Sequence, residues 1–277
     1  LWKLRQLYTS TLPTDIYHIN WLQNSIPLIG LNKRAIITVL GTDFRLLNMP
    51  MMKQIIRAVL KTNRCILAPN AHWMVSTLEQ EFGDLAQVRP TNFGTDPAWF
   101  EIQNTPQKPE IWMAINRVTS DKIGKLFEWG KDFFHTERQL HLIGPNQDNM
   151  EIPEWVHFHG SANASQLLDR WYPQATGLIS LSNHSEGKPQ VMLETMAAGI
   201  PIIASNINAH KELLQHEEHG YIVSTKQEFK EALNKISQSN EREALIEKSR
   251  NSAKRNYGTW DNCAARYIKL YDELISE

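Results

Sequence analysis

Two glutamates with seven residues between them, Glu186 and Glu194, lie in the segment GLISLSNHSEGKPQVMLETMAAGIPIIAS, Gly177 to Ser205. The segment reads as strand, loop, helix, strand. Pro189 suits the first turn of a helix, where a missing N–H costs nothing. Leu193, Met196, Ala197 and Ile200 recur at helical spacing and should face a sheet. Gly199 and Pro201 stop the helix. The backbone of Gly187, Lys188, Pro189 and Gln190 thus opens a helix just after a strand end, a ready place for phosphate. Carboxylates in that setting can accept hydrogen bonds from sugar or ribose hydroxyls. As a bare pair, Glu186 reads as a solvated loop acid and Glu194 as a residue that offsets the helix dipole. Arg117 and Lys122 follow a second apolar run, Ile111–Asn116. There an arginine offers a planar fork and a lysine a point charge to a phosphate. Beside Asp121 the two also read as ordinary surface cations.

Short apolar runs alternating with helical patterns must hold these residues. Strands are expected at Asp15–Asn20, Ala35–Gly41, Arg64–Asn70 and Gln87–Phe93, with a helix over Met51–Thr62. The polar, proline-bearing stretch Asn104–Pro109 reads as a domain linker. Beyond it, strands are expected at Ile111–Asn116, Gln139–Ile143, Val156–His159, Gly177–Ser182, Pro201–Ser205 and Gly220–Val223. Helical patterns cover Asp121–Phe134 and Ser165–Tyr172. Thr225 followed by Glu228 forms a capping box for a helix over Lys226–Ser239, and further helices cover Glu241–Tyr257 and Asp261–Ile275. Such alternation implies an α/β fold with parallel strands and helices on both faces. The boundaries expected are 1–106 for a first α/β domain, 107–258 for a second, and 259–277 for a last helix. In open α/β sheets ligands bind at the carboxyl ends of strands, so each motif should follow a strand.

Composition narrows the function. The chain has 277 residues and a net charge of −1, and that balance lacks the basic footprint of a nucleic-acid binder. Cys65 and Cys263 are far apart and form neither a metal spacing nor a disulfide framework, which favours a reducing cytoplasm. No run reaches the ~18 to 20 apolar residues of a membrane span, and no signal peptide is evident. Because the first residue is Leu1, the natural N-terminus is expected elsewhere. Lys53, Arg57, Lys61 and Arg64 recur at helical spacing beside Met52, Ile55, Ile56, Val59 and Leu60. That pattern suits either a peripheral contact with anionic lipid at the inner membrane face or a core helix with a solvated basic face.

The segment Ser185-Glu186-Gly187 through Glu194-x-Met196-Ala197-Ala198-Gly199-x-Pro201 resembles the E-x7-E signature of the family 4 glycosyltransferases, retaining enzymes of the GT-B fold. The resemblance implies that Glu186 contacts the donor sugar and Glu194 the nucleotide ribose. Asn116-Arg117 with Lys122 resembles the arginine and lysine that hold the donor diphosphate, although Ile123 displaces the family's glycine to Gly124. Leu142-Ile143-Gly144-Pro145, Val156–Gly160 and Phe93-Gly94-Thr95-Asp96 with Phe100 resemble further family segments. Tyr257 and Trp260 precede a last helix that in this fold returns to the N-terminal domain. The implied architecture is two Rossmann-like domains facing a cleft.

The sequence also departs from the family pattern. Leu40 stands where the family often has an acceptor-facing histidine. Asp43 nearby serves either as a polar group at the cleft or as a cap for the next turn. His18 and His184, at strand ends, read as packed residues. The first three strands and the glycine-rich loop of a GT-B N-terminal domain have no counterpart here, so a partner covering the incomplete sheet is an expectation.

The resemblance implies transfer of a sugar from a nucleotide-diphosphate donor, UDP-sugar favoured, to a saccharide or lipid-linked acceptor hydroxyl in polysaccharide or glycolipid synthesis. The absence of any Asp-x-Asp pair argues against a metal-clamped diphosphate, so no metal or other cofactor is expected. Arg117, Lys122, Glu186 and Asp43 are the candidates for catalysis. A GT-B nucleotide-sugar epimerase and a non-catalytic nucleotide-sugar-binding subunit are the alternatives.

Overall fold

The computed structural model describes residues 1–10, 16–184 and 186–276, and the side chain of Ser239 is outside that description. Asp15, the first residue of one expected strand, and Ser185 of the E-x7-E segment lie outside the described residues. The chain divides into two compact units. One comprises Leu1–Phe93, residues 186–188 and Trp260–Glu277, and the other Gly94–His184 and Pro189–Thr259.

The first unit holds helices α1 (Trp2–Tyr8), α2 (Met52–Thr62) and α3 (Val75–Phe82) with strands β1 (Tyr17–Asn20), β2 (Arg34–Val39), β3 (Arg64–Pro69) and β4 (Gln87–Val88). The strands form one parallel sheet in the order β1-β2-β3-β4. Alternate residues of β2 and β3 serve opposite faces. Ala35, Ile37, Val39, Cys65 and Leu67 pack with Ile56, Val59 and Leu78. Ile36, Ile66 and Ala68 pack on the other side with Cys263, Tyr267, Leu270 and Leu274. The run Gln87–Phe93 yields only a two-residue strand. Beyond Val88 the chain pairs through single bonds, Arg89 N–H to the Leu67 carbonyl and Thr91 N–H to that of Pro69.

The second unit contains strands β5 (Glu110–Ile115), β6 (Arg138–Ile143), β7 (Val156–Phe158), β8 (Ala175–Ser180), β9 (Ile202–Ser205) and β10 (Tyr221–Val223). All pair in parallel, in the order β10-β9-β8-β5-β6-β7. This order places β5 and β8 side by side. The connections between strands carry α4 (Ser120–Ile123), α5 (Leu126–Gly130), α6 (Ala164–Gln166), α7 (Gln190–Ala197) and α8 (Asn208–Leu213), and α9 (Lys226–Ile236) and α10 (Ser239–Ser252) follow the last strand. Met113 and Leu178 face a core with Met192 and Met196 of α7. Trp112, Ala114 and Ile179 face the opposite core with Phe229, Leu233 and Ile236 of α9. Helix α11 (Trp260–Ser276) supplies the Cys263–Leu274 stripe of the first unit.

Three helical expectations change in detail. The pattern over Asp121–Phe134 breaks into α4 and α5, because Gly124 adopts φ +52° between them. The pattern over Ser165–Tyr172 becomes one α-turn followed by a π-helical turn, Leu167–Trp171. Glu241–Tyr257 likewise ends in a π-helical turn, Ala253–Tyr257. Periodicity alone does not separate an α-turn from a widened one. The Thr225–Glu228 capping box forms as read.

Candidate functional site

Within the second unit, the loops after β5 and β8 are bound to each other. Asp121, in the turn after β5, presents its carbonyl to the backbone N–H of Asn183 (2.8 Å), and the Ser182 hydroxyl donates to the same oxygen (3.4 Å). The His184 ring nitrogen Nδ1 lies 3.8 Å from the Asp121 carboxylate. Gly124 is required here: a Cβ at that position would lie 1.9 Å from the Leu181 carbonyl oxygen, and its φ is left-handed. On the other flank, Val118 N–H donates to the Pro145 carbonyl, and Ser120 N–H to the Asp148 carboxylate (3.1 Å). The hydroxyl of Thr119 caps α4 by accepting from Lys122 N–H.

That bracing fixes the two expected cations. Arg117 stands just past the end of β5, exposed, and its side chain makes no hydrogen bond or ion pair among the described residues. Lys122, one helical turn further on, is 7% exposed. An exposed guanidinium and a buried ammonium thus follow the same strand end.

The helix after β8 begins at Gln190, with Pro189 at its N-cap rather than inside the first turn. Glu194 lies one turn into it, half-buried. Burial pushes its carboxyl up to about 7, against a hydrogen bond from the Gln190 side chain that acts to lower it. The Gln190 amide also donates to the Gly94 carbonyl (2.9 Å). Next to Glu194, the Thr195 hydroxyl shares a hydrogen bond with the buried Tyr172 hydroxyl (3.0 Å). The helix ends as read. Gly199 at φ +68° donates to the Met196 carbonyl, and Ile200 N–H reaches back to Thr195, the paired bonds of a Schellman cap.

The first unit holds the rest of the E-x7-E loop. Glu186 is half-buried. Gly187 N–H donates to the Leu40 carbonyl (3.0 Å), and the Gly187 carbonyl accepts from the Trp73 indole (2.9 Å). The amide of Gly187 is therefore engaged, and Pro189 has none. The buried Lys188 ammonium donates to the Asn92 amide oxygen (2.6 Å), which the sequence reading did not anticipate. Asp43 is 2% exposed. Its two oxygens accept the backbone N–H groups of Leu22 and Leu40, each at 2.8 Å, and burial still holds its carboxyl above the ordinary range. His18 bridges the hydroxyls of Tyr271 (2.6 Å) and Thr38 (2.9 Å). On α2, Lys53 and Arg57 of the expected basic stripe pair with Glu81 and Asp84. No helix is long and apolar enough to cross a membrane, and no group of three or more His, Cys, Asp or Glu suited to a metal occurs among the described residues.

Two parallel α/β sheets with their motifs at strand ends are the arrangement of the GT-B fold, which solved structures share with this chain. The family model for glycosyl transferases group 1 matches residues 98–252, more than half the chain, and the chain belongs to that family. A probable sucrose-phosphate synthase of Thermosipho melanesiensis is 34% identical over 97 residues, which is 35% of this chain and 22% of that protein. Among solved structures, sucrose-phosphate synthase from Thermosynechococcus elongatus superimposes with a TM-score of 0.78 at 18% identity. The match covers 98% of this chain and 76% of that one. Anabaena HepE in complex with UDP and glucose gives 0.77 at 13% identity, over 97% and 80% of the two chains. The chain thus spans about a fifth of that curated relative and about three quarters to four fifths of these solved chains.

Proposed function

We propose that the chain transfers a sugar from a nucleotide-diphosphate donor, a UDP-sugar by preference, to an acceptor hydroxyl with retention and without a metal. The observation that carries this is that Arg117 and Lys122 follow β5 while Glu194 lies on the helix that follows its neighbouring strand β8. Family membership and the UDP and glucose held by HepE support the donor class. In this reading Arg117 and Lys122 stabilise the charge that develops on the diphosphate, together with the backbone at the start of α7. Preorganised donors of this kind contribute roughly 10²–10³ each in rate. Glu194 accepts the ribose hydroxyls and Glu186 the sugar hydroxyls. The acceptor oxygen bonds to the anomeric carbon as the bond from that carbon to the diphosphate oxygen breaks. The acceptor's proton passes to the departing diphosphate on the same face. Asp43, with both oxygens committed to backbone N–H groups, has a structural part in this scheme.

A polysaccharide or lipid-linked acceptor at the cytoplasmic membrane face remains part of the proposal. Strand β1 stands at the edge of its sheet, the position where a further strand, from this protein or a partner, would pair. The test is a thermal-shift screen of nucleotide diphosphates followed by donor turnover with UDP-sugars. At 100 times its dissociation constant a ligand adds about 2.7 kcal/mol. Stabilisation by UDP that disappears in Arg117→Ala supports the reading. Equal response to every anion, with no turnover, overturns it.

A further inference from the structure

The carboxyl ends of β8, β9 and β10, on the side of β8 away from β5, border an open cavity of about 340 Å³ in the same unit. Its polar lining is Lys125, Asn183, Ser205, Asn206 and Ser224, and Trp129 gives it an aromatic wall. The volume falls within the span of about 300–1,000 Å³ usual for small-molecule sites. None of these residues belongs to the donor assignment above.

The lining specifies the chemistry of an occupant. Its single charged side chain, Lys125, is paired with the exposed Glu128 at 2.7 Å, so a neighbouring carboxylate offsets its attraction for an anion. The remaining polar groups are two amides and two hydroxyls, of which that of Ser205 already donates to the Ser182 carbonyl and can only accept. Asn206 donates through Nδ2 to the Ser224 hydroxyl (3.1 Å), which leaves its carbonyl oxygen open. The exposed Asn183 amide makes no side-chain hydrogen bond among the described residues. Trp129 is anchored on one side by Phe229, with ring centroids 6.1 Å apart. An indole face covers the C–H face of a pyranose, while amides and hydroxyls take its hydroxyl groups.

We propose that this cavity is a second saccharide subsite, one that holds a neutral sugar unit apart from the donor. The Asn183 N–H binds the Asp121 carbonyl, next to Lys122, so an occupant would touch the loop pair that carries the cationic site. Such a subsite suits an enzyme whose substrate has more than one sugar.

Saturation-transfer NMR on the chain, without nucleotide, with glucose, galactose, N-acetylglucosamine and maltose tests this. Contacts are expected for at least one of them at concentrations on the order of tens of millimolar. Asn206→Leu and Ser224→Val should each weaken binding by roughly tenfold. Both positions are peripheral, and stabilisation by UDP-glucose should persist in both variants. The proposal is overturned if no sugar makes contact, if both variants bind as the parent does, or if inorganic phosphate displaces the sugar. Sugar contacts that persist where UDP-glucose gives no stabilisation would sink the donor assignment and leave this one standing.

Discussion

Replacing Glu194 by glutamine removes a charge from α7 while keeping its shape. In the folded chain this carboxyl titrates at about 7 against an ordinary 4.5, because burial disfavours the ion. A carboxyl raised in the folded state makes that state bind more protons than the unfolded one between the two values. Stability therefore falls as pH rises from 4.5 through 7. Two and a half units at about 1.4 kcal/mol each set an upper bound of about 3.5 kcal/mol. Because the residue is only half-buried, solvent screening brings the expectation to about 1–2 kcal/mol. Glu194→Gln should then match the parent at pH 5 and exceed it by that amount at pH 8. Urea denaturation of both proteins across this range measures the difference. Carbon-13 NMR of the glutamate carboxyls locates the titration directly. The opposite trend should appear in ligand binding. Ribose hydroxyls that donate to Glu194 favour its ionised form. The affinity for UDP-glucose, whose diphosphate carries constant charge here, should rise with pH up to about 7 in the parent and stay flat in Glu194→Gln. A stability difference that does not change with pH, or a glutamine variant weaker at pH 8, would refute the reasoning.

Arg117→Ala should leave the melting temperature unchanged within the effect of an ordinary surface substitution, about 0.5 kcal/mol, while UDP-sugar affinity measured by calorimetry falls at least tenfold. Asp43→Ala should destabilise by about 2–3 kcal/mol, since it strands the N–H groups of Leu22 and Leu40; a fully stable but inactive variant would instead make Asp43 a participant in the reaction. Gly199→Ala should destabilise by about 1–2 kcal/mol from its left-handed backbone alone. The new methyl, 2.7 Å from Arg250 Cδ, adds to that cost, and chemical denaturation reads the sum.

The second unit was legible in the sequence because its signals are local. Leu193, Met196 and Ala197 declare the buried face of α7, Gly199 its end, and Thr225 with Glu228 the start of α9. Arg117 and Lys122 were placed by the strand before them. What escaped depends on partners remote in sequence. The amide of Gly187 is satisfied by Leu40, and Lys188 is bound by Asn92, each roughly a hundred or more positions away. Asp43 was left between two roles because only packing shows that its second oxygen meets Leu22. The break of the Asp121–Phe134 helix did carry a signal, Gly124. A lone glycine in a helical pattern is tolerated often enough that it does not by itself end the helix.

The contact between Gly124 and the Leu181 carbonyl has a consequence for descent as well as for structure. A side chain at position 124 cannot be accommodated unless the backbone at 181 withdraws, and that backbone leads directly to Ser182 and Asn183, which hold Asp121. Among relatives, position 124 and the stretch from 181 to 183 should therefore change together or not at all. A lineage that loses the glycine should also carry a compensating insertion or a smaller loop after β8, and its lysine at position 122 should be the next residue free to drift.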